Sequence, residues 1–459
     1  MSISLIIFVV AFTAGLGLAL FRHPVYGLYT YVAIFYVHPP SRWWAESLPD
    51  LRWSLLSAAV TLLAVLIHNP NPGRPSWLST APGKILLVFA IWLWIQMAWA
   101  LDVDEQRTAA VLFTKYVILF FLVYRLIDTP AEVRRFLMVH VAGCFYLGWL
   151  AYGVDVSGRL EGVGGPGIDE ANALAAQLAT GVAAAAMFIL VERRYVQWLC
   201  VLSTAFTLNG VVVAGSRSAF IALLFGGLAL WYFKPKAHRG LFYLFATLAL
   251  TLFAMVAHET FWERMSTITT AVEDRENADI SAQSRLALID AQWRMAAEYP
   301  FGAGHRGTAV LSPQFLEEQY LAAPDNPGEI AQRSSHNTFM TALVEQGIPG
   351  AIMFLLIWAW AARASLFVKR TIVGEPPSTH AWTAAIAATL LIVLVGGMFV
   401  DYIKSEVQVW MLALLASMVT YAKQLSAKPA FAGIGTSGEI PAKAAGRVTG
   451  PSPSLRPRS

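Results

Sequence analysis

Long apolar runs recur along the whole chain, and they constrain its fold more than any other feature. Of the 459 residues, 57% are hydrophobic and only 14% are charged, whereas soluble domains average about 25% charged residues. A membrane-spanning helix needs about 20 apolar residues. The sequence therefore predicts an all-α, polytopic membrane protein with about 13 transmembrane helices, within a range of about 12 to 14. The candidate spans are residues 3–21, 24–38, 53–68, 84–101, 108–127, 136–153, 171–191, 195–214, 217–233, 240–258, 338–362, 381–400 and 406–422.

Basic residues in the connections predict the orientation of these spans. After residue 108, the clusters of Lys and Arg all fall on one side of the membrane. The positive-inside rule makes that side, and with it the C-terminus, cytoplasmic. Three connections then face outward, namely 154–170, the turn 214–218 and the long loop 259–337. A loop as long as 259–337 usually carries function.

Composition and loop length divide the chain into three predicted parts. Residues 1–153 form an N-terminal transmembrane segment, and residues 154–422 form a membrane domain that contains the long outer loop. Residues 423–459 are rich in Ala, Gly, Pro and Ser, so we predict a disordered cytoplasmic tail. The net charge of +4 is too small to indicate a nucleic-acid partner.

Neither cysteine, nucleotide nor metal chemistry is indicated by the remaining motifs. Cys144 and Cys200 lie inside apolar runs, where small buried side chains are expected. GVGGPG at 162–167 matches a dinucleotide-binding pattern, but it follows a membrane span rather than a strand, so we reject that site. The carboxylates of DVDE at 102–105 could hold a divalent cation. The alternative is an acidic outer loop, which we favour.

His336 lies where the polar outer loop meets an apolar run, in SSHNTFMTALVEQGIPG at 334–350. Ser334 or Ser335 can cap a helix that continues to Gly347, which would place His336 in its first turn. The amide groups and dipole of a helix start favour an anion and a neutral imidazole. A neutral imidazole can accept a proton. His336 is therefore a candidate base beside a bound phosphate, although a lone histidine is more often a surface residue.

Two arginines share the outer side with His336 in the predicted topology. Arg217 begins a span within the GSRS turn, where it either binds a ligand or anchors the helix end at the membrane surface. Arg285 lies in the first turn of a helix predicted at 284–299, which places Leu286, Ile289 and Trp293 on one face and ends at Pro300. Alone, Arg285 would be a solvated loop residue. Together, two guanidinium groups suit a pyrophosphate.

These residues resemble the O-antigen ligase and O-antigen polymerase superfamily. His336-Asn337 is followed by nine residues and then by Gly347-Ile348-Pro349-Gly350, as in the signature of that family. Arg217 resembles the family arginine in a Gly-Ser-Arg-Ser turn. Arg285, followed by Trp293 and by PFGAG at 300–304, resembles the family arginine of the long periplasmic loop.

The resemblance extends to two other parts of the chain. GRLEG at 158–162, leading to Asn172 at a helix start, is similar to a further stretch of the family. The likeness covers about residues 150 to 420. FYVHPPSRWW at 35–44 resembles the extra N-terminal segment of the exosortase-associated O-glycosylation ligases.

The resemblance implies a bacterial inner-membrane glycosyltransferase whose active site faces the periplasm. The implied donor is a glycan on undecaprenyl pyrophosphate, and the acceptor is a hydroxyl of lipid A core, a protein or another glycan. Membrane lipid is the only other implied partner, and no metal, nucleotide or other cofactor is expected. We hypothesise that His336 is the base and that Arg217 and Arg285 hold the pyrophosphate. The substrate-binding candidates are Arg159, Asn172, Asn337 and His305.

Three alternatives stay open at this stage. A polysaccharide polymerase would use the same donor and differ only in its acceptor. A transporter or flippase for lipid-linked glycan would show paired charges within its spans and two related halves, and the sequence shows few such residues and no repeat. A scaffold without chemistry would tolerate substitution of Arg217, Arg285 and His336.

Overall fold

The computed structural model describes residues 2–154, 160–256, 280–321 and 330–427, and the regular structure in these ranges is helical, without a β-strand. Helices α1 to α10 are Ile3–Phe21, Val25–Val37, Trp53–His68, Ala81–Gln96, Val103–Leu126, Pro130–Tyr152, Ala171–Val191, Arg194–Val213, Arg217–Phe233 and Arg239–Val256. Helices α11 to α17 are Ile280–Glu298, Gly307–Phe315, Glu318–Leu321, Thr338–Glu345, Gly347–Thr371, Pro377–Gly396 and Glu406–Ala427. The predicted all-α fold class is confirmed for these residues.

The length and apolarity of the helices support a polytopic membrane protein. Of the described helices, 6 are long and apolar enough to cross a bilayer, namely α1, α5, α7, α8, α15 and α16. Helix α9 and the first part of α10 would count together as one more span, although they meet at a bend of 109°. Helices α3 and α4 are shorter apolar helices. The predicted total of about 13 spans is not confirmed and stays a prediction.

Several predicted helix boundaries are wrong, including those of the span predicted at 338–362 and of the last helix. The span predicted at 338–362 is two helices, because Gly347 adopts a left-handed φ of 71° between α14 and α15. The last helix continues to Ala427, so the first residues of the predicted tail are helical. Residues 428–459, together with parts of the long outer loop, lie outside the described residues.

Helices α7 and α16 form the buried centre of the bundle. Helix α7 packs against α6, α8, α9 and α16, and its sequence is rich in alanine, which allows close approach of neighbouring helices in a membrane. Short connections join α7 to α8 and α8 to α9, so α7 and α9 begin at the same end of the bundle. We call this the outer end, because it carries the connections predicted to face outward.

At the outer end, the two glycine motifs of the sequence lock together. The N–H groups of Ala303 and Gly304 donate to the carbonyl oxygens of Val344 and Glu345 at 2.9 and 3.0 Å, and Ile348 N–H donates to Pro300 O at 2.9 Å. Gly302 and Gly304 adopt left-handed φ angles of 86° and 88°. The PFGAG segment therefore packs against the junction between α14 and α15. The left-handed φ of Gly347 makes room for it there.

Substitution of Gly302 by alanine is expected to destabilise the protein by about 2–4 kcal/mol, because it combines a strained φ with overpacking. A Cβ at this position would lie 2.5 Å from Glu345 O, a backbone atom fixed by the lock. Gly227→Ala in α9 is the control, since a Cβ there meets nothing within 4 Å, and it should be neutral or stabilising. Thermal unfolding in detergent measures both. Equal melting temperatures would contradict this account of the lock.

Candidate active site

A polar cavity of about 570 Å³ lies at the outer end, and its size is typical of a ligand site. One part of its wall comes from the outer loop and the start of α7, with Glu161, Glu170, Ala171 and Asn172. The other part comes from α11, α13 and the segment before α14, with Ser284, Arg285, Gln319, Tyr320, Arg333 and His336. The cavity therefore unites the predicted residues Arg285, Asn172 and His336, which are distant in sequence.

A buried hydrogen bond fixes the segment of His336 against the helix that carries Arg285. Gln292 of α11 donates through Nε2 to Ser335 Oγ at 2.9 Å, and Ser335 Oγ donates to Asn337 O at 3.0 Å. Gln292 and Ser335 are both buried. Because a buried hydrogen-bonded pair is costly to break, the position of the His336 segment relative to α11 is defined.

The prediction that Ser334 or Ser335 caps the helix after His336 is wrong. Asn337 is the N-cap of α14, and its Oδ1 accepts from the N–H groups of Phe339 and Met340 at 2.9 and 3.1 Å. His336 therefore precedes the helix instead of lying in its first turn. Thr338 N–H donates to Gly397 O at 2.7 Å. Since these three amides have protein acceptors, the start of α14 does not offer them to an anion in the cavity.

The connection between α16 and α17 joins two walls of the cavity. Thr338 Oγ1 donates to Val400 O and accepts from Tyr402 N–H, each at 2.8 Å. The Tyr402 hydroxyl donates to Asn172 O at 3.0 Å. The starts of α14 and α7 are thus held together through residues 397–405, which sets the position of Asn172 relative to His336.

Arg217 is not among the described residues that line this cavity. Arg217 is the first residue of α9, capped by Ser216, and is half-buried at the outer end. Arg285 lies in the second turn of α11, because the helix begins at Ile280 rather than at the predicted residue 284. The prediction that Arg285 lies in the first turn of its helix is therefore wrong. Arg159 lies outside the described residues.

Sequence reasoning missed six polar residues of the cavity, namely Glu161, Glu170, Ser284, Gln319, Tyr320 and Arg333. Arg333 is half-buried, and its Nε donates to Tyr320 O at 2.7 Å. Its own N–H donates to Ser312 Oγ at 2.8 Å. Its place three residues before His336 was the available sequence signal. The cavity thus carries two arginines, two glutamates and one histidine.

The outer loop that carries Glu161 is held in place by the N-terminal segment. Arg42 donates through Nη2 to Val163 O at 2.9 Å and through Nε to Val37 O at 2.7 Å. A Cβ on Gly165 would lie 2.7 Å from the His38 ring. Gly165 is therefore needed for packing against His38. This supports the rejection of a dinucleotide site.

His305, a predicted substrate-binding residue, is buried and is not among the residues that line the cavity. Its Nδ1 lies 3.1 Å from Glu345 Oε2, and its Nε2 lies 3.3 Å from Lys404 Nζ. Its N–H donates to Gln106 Oε1 at 2.7 Å. These contacts give His305 a place in a buried polar cluster. Asn337 is likewise engaged as a cap, so substrate binding by either residue stays a prediction.

Asp401 lies beside this cluster, and burial, followed by the charge of Glu345, raises the pKa of its carboxyl group from 3.8 to about 6. Between these values the folded state holds the proton more tightly than the unfolded state, so stability falls as the pH rises towards 6. We expect titration of Asp401 to lower the free energy of unfolding by about 1 kcal/mol between pH 5 and 7.5.

Asp401→Asn tests this, because Asn keeps the acceptor for Ile403 N–H, which is 3.0 Å from Oδ1. Unfolding of both proteins in detergent at pH 5 and 7.5 gives a double difference in which other titrating groups cancel. The variant should lose less stability than wild type. An equal loss in the two proteins would contradict the raised pKa.

The DVDE carboxylates have structural partners. Asp102 caps α5 by accepting from Glu105 N–H at 3.0 Å, and Glu105 forms an ion pair of 2.9 Å with Arg306. No group of three His, Cys, Asp or Glu side chains in the described part of the chain could hold a metal ion. Cys144 and Cys200 are free and buried, which confirms their predicted place in the core.

The apolar helices are consistent with a polytopic membrane protein, and the cavity at one end of the bundle carries arginine, glutamate and histidine side chains. A family model described as O-antigen ligase matches residues 202–355. The matched segment is less than half of the chain, and it contains Arg217, Arg285 and His336. It supports an O-antigen ligase-type membrane enzyme, and it does not confirm the exosortase-associated subgroup. The comparison with curated proteins gives no match.

Proposed function

We propose that this protein is a periplasm-facing glycosyltransferase of the bacterial inner membrane. It transfers a glycan from undecaprenyl pyrophosphate to a hydroxyl group of lipid A core, a protein or another glycan, without a metal ion. One observation carries the proposal. Arg285 and His336 line the same outer cavity, and both belong to the segment that matches the O-antigen ligase model.

The two charged sides of the cavity suggest how the donor is oriented. Arg285 and Arg333 provide guanidinium groups that can each bind phosphate oxygens with two hydrogen bonds. Glu161 and Glu170 would repel a pyrophosphate but can accept hydrogen bonds from sugar hydroxyls. The donor would therefore place its pyrophosphate towards α11 and its first sugars towards α7 and Asn172. Arg159, in the same outer loop, is a further candidate for sugar or phosphate.

The proposed reaction is a direct displacement at the anomeric carbon. His336 takes the proton of the acceptor hydroxyl as its oxygen forms a bond to that carbon. The bond from the carbon to the pyrophosphate oxygen breaks, and the electron pair leaves with undecaprenyl pyrophosphate. Arg285 and Arg333 stabilise the charge that develops on the leaving group. Arg217, at the same end of the bundle, would contribute to this positive field.

The test uses purified protein in nanodiscs with an undecaprenyl-pyrophosphate glycan, a panel of acceptors and EDTA. Mass spectrometry would follow two quantities, namely undecaprenyl pyrophosphate bound to the protein and glycan transferred to an acceptor. The proposal expects both in the presence of EDTA. Absence of lipid binding would contradict it, whereas loss of transfer in EDTA alone would contradict only its metal independence.

The same assay separates the remaining classes. Lengthening of the glycan while it stays on undecaprenyl pyrophosphate would identify a polymerase. Movement of the intact donor across a liposome membrane without transfer would identify a transporter.

A further inference from the structure

Helix α11 has two apolar faces, and within the described ranges only one of them is packed against protein. Leu288, Ala291 and Met295 are buried, where α11 packs against α12 and α14. The face predicted from the sequence lies on the opposite side. Leu286 is 36% and Trp293 is 59% exposed. At 100° per residue, Leu286, Ile289 and Trp293 form one stripe, which we call the α11 ridge.

The exposed surface of α11 is itself divided into an apolar and a polar half. Beside the ridge, Asp290, Arg294 and Glu298 follow one another at helical spacing and are all exposed. A helix with an aromatic and aliphatic stripe next to a charged stripe suits the plane between membrane and water. In water, the apolar side chains of the ridge would be exposed to solvent.

The ridge is continuous with a surface that faces lipid. The chain leaves α11 through Pro300, whose carbonyl accepts from Ile348 N–H of the membrane-spanning helix α15 at 2.9 Å. Phe301 is 63% exposed, and Ile348 and Ile352 on α15 are about half exposed. The Trp99 indole donates to Gly302 O at 3.1 Å. Aromatic side chains at a helix end are typical of the membrane interface.

We propose that the α11 ridge lies in the outer interface of the bilayer and contacts lipid acyl chains. Lipid is the occupant because the ridge extends, through Pro300 and Phe301, the apolar stripe of α15. The ridge begins next to Arg285. Insertion of the ridge into the membrane interface would therefore hold the Arg285 guanidinium at the level of the lipid phosphates. It would hold the adjoining cavity wall at the same level. The proposal concerns the position of α11 and does not depend on the reaction proposed above.

The test places an environment-sensitive nitrobenzoxadiazole label on Trp293→Cys in full-length protein in nanodiscs that contain spin-labelled phospholipid. Glu298→Cys is the matched control, because it lies in the same helix on the charged stripe. Cys144 and Cys200 are buried, and unsubstituted protein gives the background labelling. We expect quenching by the lipid label to be about threefold stronger at position 293 than at 298.

Leu286→Cys is a second ridge position, which keeps the test decisive if Trp293→Cys does not fold. It should be quenched like position 293. Equal and weak quenching at 286, 293 and 298 would overturn the proposal by showing a ridge in water. Blue-shifted but unquenched emission at 293 would also overturn it, because protein rather than lipid would then cover the ridge.

Discussion

His336→Ala is expected to lower the rate of glycan transfer by about 10²–10⁴-fold, the usual contribution of a general base. The imidazole lines the cavity that also holds two arginines, and among the described residues no other histidine lines it. Binding of undecaprenyl pyrophosphate should persist, because Arg285 and Arg333 remain. Separate assays of transfer and of lipid binding therefore distinguish loss of a base from loss of the site.

The design needs controls for folding and for rival bases. His68→Ala removes an exposed histidine at the end of α3, far in the chain from the cavity residues, and should leave transfer unchanged. Glu161→Gln and Glu170→Gln test the two carboxylates of the same cavity. Full activity of folded His336→Ala would remove the histidine as the base. If a glutamate variant loses transfer activity instead, that glutamate would be the candidate base.

The helical membrane architecture can be predicted from the sequence, because the hydropathy of a segment depends only on the residues of that segment. Apolar runs of span length, such as 171–191 and 217–233, coincide with helices in the structure. The predicted topology placed Arg285 and His336 on the same side of the membrane. Their presence in the wall of one cavity agrees with that prediction. The spacing from His336 to Gly347 corresponds to a real unit, the short helix α14 and the turn that follows it.

Features decided by tertiary contacts could not be predicted in this way. Ser334, Ser335 and Asn337 are all good caps, and the choice of Asn337 depends on bonds to residues 397 and 398, including Asn337 Nδ2 to Met398 O at 3.2 Å. Helix α11 has two apolar stripes of similar strength, and only its neighbours determine which one is buried. Glu161 becomes a site residue solely through the fold.

Arg285→Ala is expected to lower transfer by about 10²–10³-fold and to weaken binding of undecaprenyl pyrophosphate, because the arginine would act on both the bound and the departing pyrophosphate. Arg285→Lys should recover only part of either property, since lysine keeps the charge but lacks the planar pair of donors. This partial recovery is the result that separates phosphate binding from a purely structural role.

Arg294→Ala is the matched control for that experiment. It removes the same residue type from the same helix, nine positions further on and therefore about 180° around the axis. There the guanidinium donates to Phe315 O at 2.7 Å. Transfer and lipid binding should be near those of wild type. If Arg285→Ala binds undecaprenyl pyrophosphate as tightly as Arg294→Ala does, the pyrophosphate lies elsewhere. Arg217 and Arg333 would then be the arginines to substitute next.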